Sequence, residues 1–416
     1  MQTKLKNILS EALEDIKPKK EYEKEILNKA SGIISKINKG IKDAKAILGG
    51  SGAKGTWLKT FDADIFVKFK YSKYKDNDPQ LSEILEKFLK KHFKIIRLHG
   101  SRDYFQIKQD NFTFEIVPIL EIKKAEEAKN ITDVSPLHAN FVLKHKKLID
   151  QMRLAKQFFK SARVYGAESH IKGFSGYVCE ILTIHYGSFL NLIKAASRWK
   201  GKEIIDPKNY YKGKNILMEL NKSKLVSPLI LIDPVQKDRN ASAALDNEKF
   251  ELLKQRAREF IKKPSKEFFE VRQITADSLI KKFGKNLILI KVWPLDKKED
   301  VAGAKMLKAF RFMEQNLLDY GFKIIESDMV WNGKGASLLY YALEKKTLPE
   351  AIELQGPPIK MKMHVDFFKK KHKKTFIKNK KVYALENRAF ADAESFLKSL
   401  FKAINVNDNV KKIELM

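Results

Sequence analysis

Residues 47–69 read ILGGSGAKGTWLKTFDADIFVKF, a glycine-rich turn followed by two aspartates that open an apolar strand. Glycines at 49, 50 and 52 let backbone N–H groups approach an anion closely, and Ser51 and Lys54 add donors. The G-x-x-x-x-G-K-[ST] spacing of a Walker A loop is absent. Side chains alternate along a strand, so Asp62 and Asp64 are expected to point the same way. Two carboxylates held that close repel each other unless a divalent cation lies between them. Taken singly, Asp-x-Asp also suits a solvated turn, and Gly-Gly-Ser a plain loop. Joined, and leading into an apolar strand, they point to a site for a metal and an anion. A third carboxylate, Glu115, lies in FTFEIVPIL (residues 112–120), where unpaired burial would be costly. Either it faces solvent from an edge strand, or it is a third oxygen ligand beside Asp62 and Asp64. Three carboxylates on two divalent ions are a general device for phosphoryl and nucleotidyl transfer.

Composition supports an anionic partner. Lys and Arg number 82 against 51 Asp and Glu among 416 residues, a formal net charge of +31. Such a surplus points to a polyanion, although a strongly solvated lysine-rich surface is the plainer alternative. Apolar residues at 44% and aromatics at 11% suffice for sizeable cores, which argues against a disordered tail. No apolar run is long enough for a transmembrane helix, and the N-terminus reads as an amphipathic helix, not a signal peptide. No basic amphipathic helix stands apart to suggest a lipid surface. The single Cys179 excludes an intrachain disulfide and the cysteine-rich zinc frameworks, and fits a reducing, cytoplasmic setting. The eight histidines are scattered, so a metal here is expected on oxygens, which means magnesium-type chemistry.

Further along the chain, helical spacing covers residues 1–39 in two segments broken at Pro18. Strands are expected at 64–69, 92–98, 103–108 and 112–120. Helices follow at about 148–166, from Gly176, and at 246–262, with a buried-looking run at 228–232. After Lys263-Pro264 the order is strand 287–293, helix 301–320 with Met306, Phe310, Met313 and Leu317 on one face, then strands 322–331 and 336–343 around Asn332-Gly333, a hairpin signal. The expected class is α+β: an N-terminal mixed sheet with helices (1–135), a mainly helical central domain (136–264) and a C-terminal α+β region (265–416).

Gly50-Ser51, Lys54-Gly55-Thr56-Trp57-Leu58 and Asp62-x-Asp64-Ile65-Phe66-Val67 together resemble the DNA-polymerase-β-like nucleotidyltransferases. More narrowly, the chain resembles the archaeal, class I CCA-adding enzymes. Similar segments are Asp133-Val134-Ser135-Pro136-Leu137-His138, Val164-Tyr165-Gly166, Ile171 to Glu180, Ile232-Asp233-Pro234-Val235 leading to Arg239-Asn240, and Gly356-Pro357-Pro358. The likeness runs from about residue 45 to 360, and Gly173-Phe174-Ser175-Gly176-Tyr177 is its most specific part. It implies addition of C, C and A to the 3′ end of tRNA from CTP and ATP, with Mg2+ as the metal. By the same resemblance Asp62, Asp64 and Glu115 bind metal, with Gly50 in the turn, and Ser51 and Lys54 contact the triphosphate. His138, Lys156 and Tyr165 contact the nucleotide with Ser135 nearby, and Arg239 lies near the base and the tRNA end. The sequence departs from the usual pattern twice. Glu115 stands where aspartate is usual, and Lys54 where arginine is usual, which keeps the charge but loses the bidentate fork.

Without the resemblance these residues read less definitely. Lys156 with Lys160 suits a solvated helix face, Tyr165 helix-end packing, His138 a helix cap and Ser175 a turn, while close glycines suggest backbones in tight contact. Late lysine clusters, Lys360, Lys362, Lys369 to Lys374 around His372, and Lys378 to Lys381, interleave with Phe367, Phe368, Phe376 and Tyr383. They suit either a solvated face or phosphate tracking along a tRNA acceptor arm. A poly(A)-type enzyme and a non-catalytic RNA-binding protein on the same scaffold are the alternatives. The oligomeric state stays open, a homodimer included.

Overall fold

The computed structural model describes residues 2–59 and 63–416 and divides into two compact units, Met1–Arg272 and Gln273–Met416. In the first unit, strands β1 (Ala44–Leu48), β2 (Ala63–Lys70), β3 (Ile95–Leu98), β4 (Tyr104–Gln109) and β5 (Phe112–Glu121) form one mixed sheet in the order β1-β2-β5-β4-β3. Only β2 and β5 run parallel. Alternation sorts β2 by face: Ala63, Ile65, Val67 and Phe69 are buried, whereas Asp64 and Lys68 are half-buried. The buried set packs on α2 (Lys20–Gly40) through Ile26, Ala30, Ile33 and Ile37, and on α4 (Asp78–His92) through Leu81, Leu85 and Leu89, both at helical spacing. The strand expected from residue 92 begins at Ile95, because α4 continues to His92. Its last turn carries Lys90, Lys91 and His92, cations that suit the negative end of the helix dipole.

A second core lies among helices. α1 (Gln2–Ile16) buries Ala12 and Ile16 there with α6 (Ile149–Ser161) and α7 (Gly176–Tyr186), while α2 belongs to the sheet's core. Phe158, Phe189, Phe260 and Phe269 pack ring against ring at its centre, with centroids 5.5–6.0 Å apart. A short parallel pair, β6 (Glu203–Ile205) and β7 (Leu229–Leu231), and α8 (Asn247–Lys262) complete the unit.

The second unit contains β8 (Leu287–Trp293), α10 (Glu299–Tyr320), β9 (Ile324–Val330) and β10 (Ser337–Leu343), preceded by α9 (Ala276–Phe283). Met306, Phe310, Met313 and Leu317 form the buried stripe of α10, as the spacing predicts. β9 and β10 pair antiparallel around Asn332-Gly333, and the C-terminal β14 (Lys412–Leu415) adds an antiparallel edge beside β8. A separate sheet of β11 (Ala351–Pro358), β12 (Thr375–Lys378) and β13 (Lys381–Asn387) packs with α11 (Lys362–Lys371). The α+β class is as expected. No described helix is long and apolar enough to cross a membrane.

Candidate active site

Asp64 and Glu115 are register partners on the parallel strands β2 and β5, and both are half-buried. Register partners on adjacent strands lie roughly 5 Å apart, so two carboxylates share one sheet face. Gln106 stands opposite Glu115 on β4, and its Nε2 donates to Glu115 Oε1 at 2.9 Å. The edge-strand reading of Glu115 therefore fails, since β5 lies between β2 and β4. Asp62 lies outside the described residues. Among the described residues no three His, Cys, Asp or Glu side chains form a metal cluster. Asp64 and Glu115 nevertheless fit a divalent cation by donor chemistry, because hard oxygen ligands of like charge gain from one.

The glycine turn packs against Asp64. Gly49 N–H donates to the Asp64 carbonyl at 2.7 Å, extending the β1–β2 ladder. Gly50 has φ +51°, and a Cβ there would overlap the Asp64 carboxylate, so only glycine fits. The turn leads into α3 (Gly50–Lys54), which carries Ser51 and Lys54 and ends at Gly55 with φ +66°. It packs against β2 and α5 (Ser135–Leu143). Asp133 anchors the segment entering α5. It is fully buried, with Oδ1 accepting from Arg102 Nη1 at 2.6 Å and from Leu120 N–H at 2.8 Å. Ser135 begins α5 and His138 follows one turn on.

Lys54 and Lys156 meet at a carboxylate to which sequence reasoning assigns no role. Glu180, on α7 and 0% exposed, accepts from Lys54 Nζ at 2.7 Å, Lys156 Nζ at 2.6 Å and Thr56 Oγ1 at 2.6 Å. Burial alone would raise its pKa, but the two lysines outweigh burial and hold it at about 2. Lys156 is buried, so the solvated-face reading fails. Burial lowers its pKa more than Glu180 raises it. A carboxylate in the apolar run Val178-Cys179-Glu180-Ile181-Leu182 was the available signal, since unpaired burial there would be prohibitive.

A second buried carboxylate, Asp233, gathers His138, Arg239 and Tyr177. Arg239 Nη1 lies 2.6 Å and His138 Nε2 3.2 Å from Asp233 Oδ2, while Tyr177 Oη donates to Oδ1 at 3.1 Å. Burial would raise the Asp233 pKa, yet His138, the Val235 N–H and Arg239 hold it at about 2. The His138 and Tyr177 rings stack at 4.0 Å, and Lys54 Nζ sits 5.9 Å over Tyr177, which links the two clusters. Tyr165 is joined to Phe174 by a parallel bridge. Gly173 runs so close to the Val164 carbonyl that a Cβ would overlap it, the tight backbone contact its glycines predict. A Cβ on Gly176 would press on Tyr165 Oη and lie 3.6 Å from Lys156 Cε. Ser175 is the N-cap of α7, its Oγ accepting from Val178 N–H at 3.2 Å.

A mixed sheet with a glycine turn packed against one of a strand-borne carboxylate pair, backed by a helical unit, is the architecture of a nucleotidyltransferase, and comparison agrees. Residues 27–165 match the family described as a nucleotidyltransferase domain, 150–270 the second domain of tRNA nucleotidyltransferase, and 284–413 the C-terminal domain of the CCA-adding enzyme. A CCA-adding enzyme of Nanoarchaeum equitans is 36% identical over 386 residues, covering 91% of this chain and 93% of the relative. One of Methanocaldococcus jannaschii is 33% identical over 432 residues, covering 99% and 93%. Solved structures of the Cid1 poly(U) polymerase share the fold, with a TM-score of 0.53 at 12% identity over 65% of this chain and 100% of theirs. The chain belongs to the CCA-adding enzymes, a family of tRNA nucleotidyltransferases.

Proposed function

We propose that the chain adds C, C and A in turn to the 3′ end of tRNA, drawing on CTP and ATP without a nucleic-acid template. The terminal 3′-hydroxyl attacks the α-phosphorus in line; a P–O bond forms to the RNA and the bond to the β,γ-diphosphate breaks, releasing pyrophosphate. Asp62, Asp64 and Glu115 would hold Mg2+, which would activate the attacking hydroxyl and neutralise charge on the leaving group. The observation that carries this reading is the in-register pairing of Glu115 with Asp64, the residue against which Gly50 packs. Ser51 and Lys54 bind the triphosphate, with Lys156 behind them. His138 and Tyr165 contact the nucleotide near Ser135, and Arg239, held by Asp233, faces the base and the RNA end. Residues 1–135 supply the metal site, 136–264 complete the nucleotide pocket and 265–416 bind the acceptor arm. A cytoplasmic setting suits a lone buried thiol, Cys179.

The test is extension. With tRNA lacking its CCA end, Mg2+, CTP and ATP, the chain should add three nucleotides. Use of ATP alone with products of variable length would favour a poly(A)-type enzyme, and no extension would remove the reading. Asp64→Ala should abolish extension while tRNA binding, read by filter retention, stays within about twofold.

A further inference from the structure

We propose that Glu180 is a positioning residue, which holds Lys54 and Lys156 as a fixed pair of ammonium groups for the phosphates of the incoming nucleotide. The inference rests on the reading that this pocket takes CTP and ATP. Glu180 comes from α7, Lys156 from α6, and Lys54 and Thr56 from the end of α3 and the residues after it, so one carboxylate ties three separate elements together. Lysine carries a point charge on a flexible stem and lacks the preset fork of arginine. A second group must therefore fix where its charge sits, and Glu180 grips both lysines at 2.6–2.7 Å.

Charge balance points the same way. Two ammonium groups share one carboxylate, so the cluster carries a surplus positive charge that a further anion can satisfy. Side-chain exposure is 12% for Lys54, 4% for Lys156 and 0% for Glu180, so an anion would arrive from the Lys54 side. That is the side of the Gly50-Ser51 turn, where α3 begins. Stability does not account for the arrangement, because well-packed apolar residues commonly serve as well as a buried ion network. Thr56 adds direction: its hydroxyl donates to Glu180 and lies 2.8 Å from Lys156 Nζ, fixing the geometry of the pair.

The other titratable groups facing the cluster are Cys179, Lys160, Tyr165 and Tyr177. Burial pushes the Cys179 thiol and both phenols well above their ordinary values, so they add no negative charge near neutrality, and it lowers Lys160. Burial works against the charge of Lys156 and Glu180 is the carboxylate that opposes it, so replacing Glu180 should make nucleotide binding more sensitive to alkali.

The experiment is calorimetric titration of the full chain with Mg2+–CTP and Mg2+–ATP between about pH 6 and pH 10, the side of the ordinary lysine value toward which burial moves Lys156. Glu180→Gln keeps the shape and removes the charge. Its Kd at pH 8 should rise by about ten- to a hundredfold, the range of a lost charge-assisted contact, and the loss should shrink as pH falls, the direction in which a lysine gains its proton. Glu180→Asp should keep the wild-type pH profile with a smaller change. A Glu180→Gln chain that binds like wild type at every pH overturns the proposal. So does uniform weakening with no change of profile, which is what loosened packing alone would give. If Glu180→Gln melts without a cooperative transition, Thr56→Val takes its place, and it must weaken binding severalfold with the wild-type pH profile kept, since it loosens the pair but leaves the Glu180 charge. A wild-type chain that binds neither nucleotide would sink the reading of the pocket itself. A normal wild type beside unaffected variants would sink only the role of Glu180.

Discussion

Glu115 carries one methylene more than the aspartate usual at the third carboxylate position, and Gln106 steadies it at 2.9 Å. The register places its Cα directly beside that of Asp64, so the longer side chain can still reach the same space. Glu115→Asp should therefore extend tRNA within about tenfold of wild type, whereas Glu115→Gln, which removes the charge that attracts a cation, should lose about a hundredfold or more; single-turnover rates with saturating Mg2+ would separate the two. Asp233 is the other informative residue. Its pKa is depressed to about 2 from an ordinary 3.8, so the stability it contributes is fully present above about pH 4 and is lost as pH falls toward 2. An Asp233→Asn chain should be less stable at neutral pH, and the difference from wild type should shrink as pH falls through that window, as urea unfolding at stepped pH would show. Equal differences at every pH would contradict the pairing.

Among the elements, the glycine turn that follows β1 and opens α3 does more than redirect the chain. Gly50 combines a left-handed φ of +51° with contact against Asp64, so Gly50→Ala meets two obstacles at once. The backbone strain alone costs about 1–2 kcal/mol, and the added methyl pushes the Asp64 carboxylate aside. Extension should fall by a far larger factor than stability does, and paired measurements of turnover and Tm would show whether it does. At the level of spacing, the Asp-x-Asp strand, the α6, α7 and α8 helices and the β9–β10 hairpin were legible, because each carries a local period or turn signal. α4 was not marked in advance, although Leu81, Leu85 and Leu89 lie at helical spacing and are fully buried, and β14 is a short edge whose partner, β8, lies more than a hundred residues away in sequence.

For the whole molecule the dominant quantity is its charge of +31. A dense basic patch lies in the last third of the chain, where Lys369, Lys370, Lys371, Lys373 and Lys374 are exposed at and beyond the end of α11, and Phe367 is 68% exposed among them. If these lysines follow RNA phosphates, tRNA affinity must fall steeply with salt, and the slope of log K against log salt should drop by about one for each contacting lysine replaced by glutamine. A Lys370→Gln, Lys373→Gln double variant with an unchanged slope would return this patch to the solvated-surface reading. Nucleotide binding, proposed above for the first unit, should not change in that variant.

Local pattern, by itself, determined that this chain is an α+β protein with a glycine turn joined to a carboxylate-bearing strand, because alternation, helical period and glycine's freedom act over a few residues. It also supplied the candidates at 50, 51, 54, 62, 64, 115, 135, 138, 156, 165 and 239, most of them through likeness to a family. Tertiary structure alone decided that Glu115 sits beside Asp64, and that Glu180 and Asp233 are the buried centres on which the lysines, His138 and Arg239 converge. Pairing register and charge burial arise from contacts between residues as far as 126 positions apart, and no local spacing encodes them.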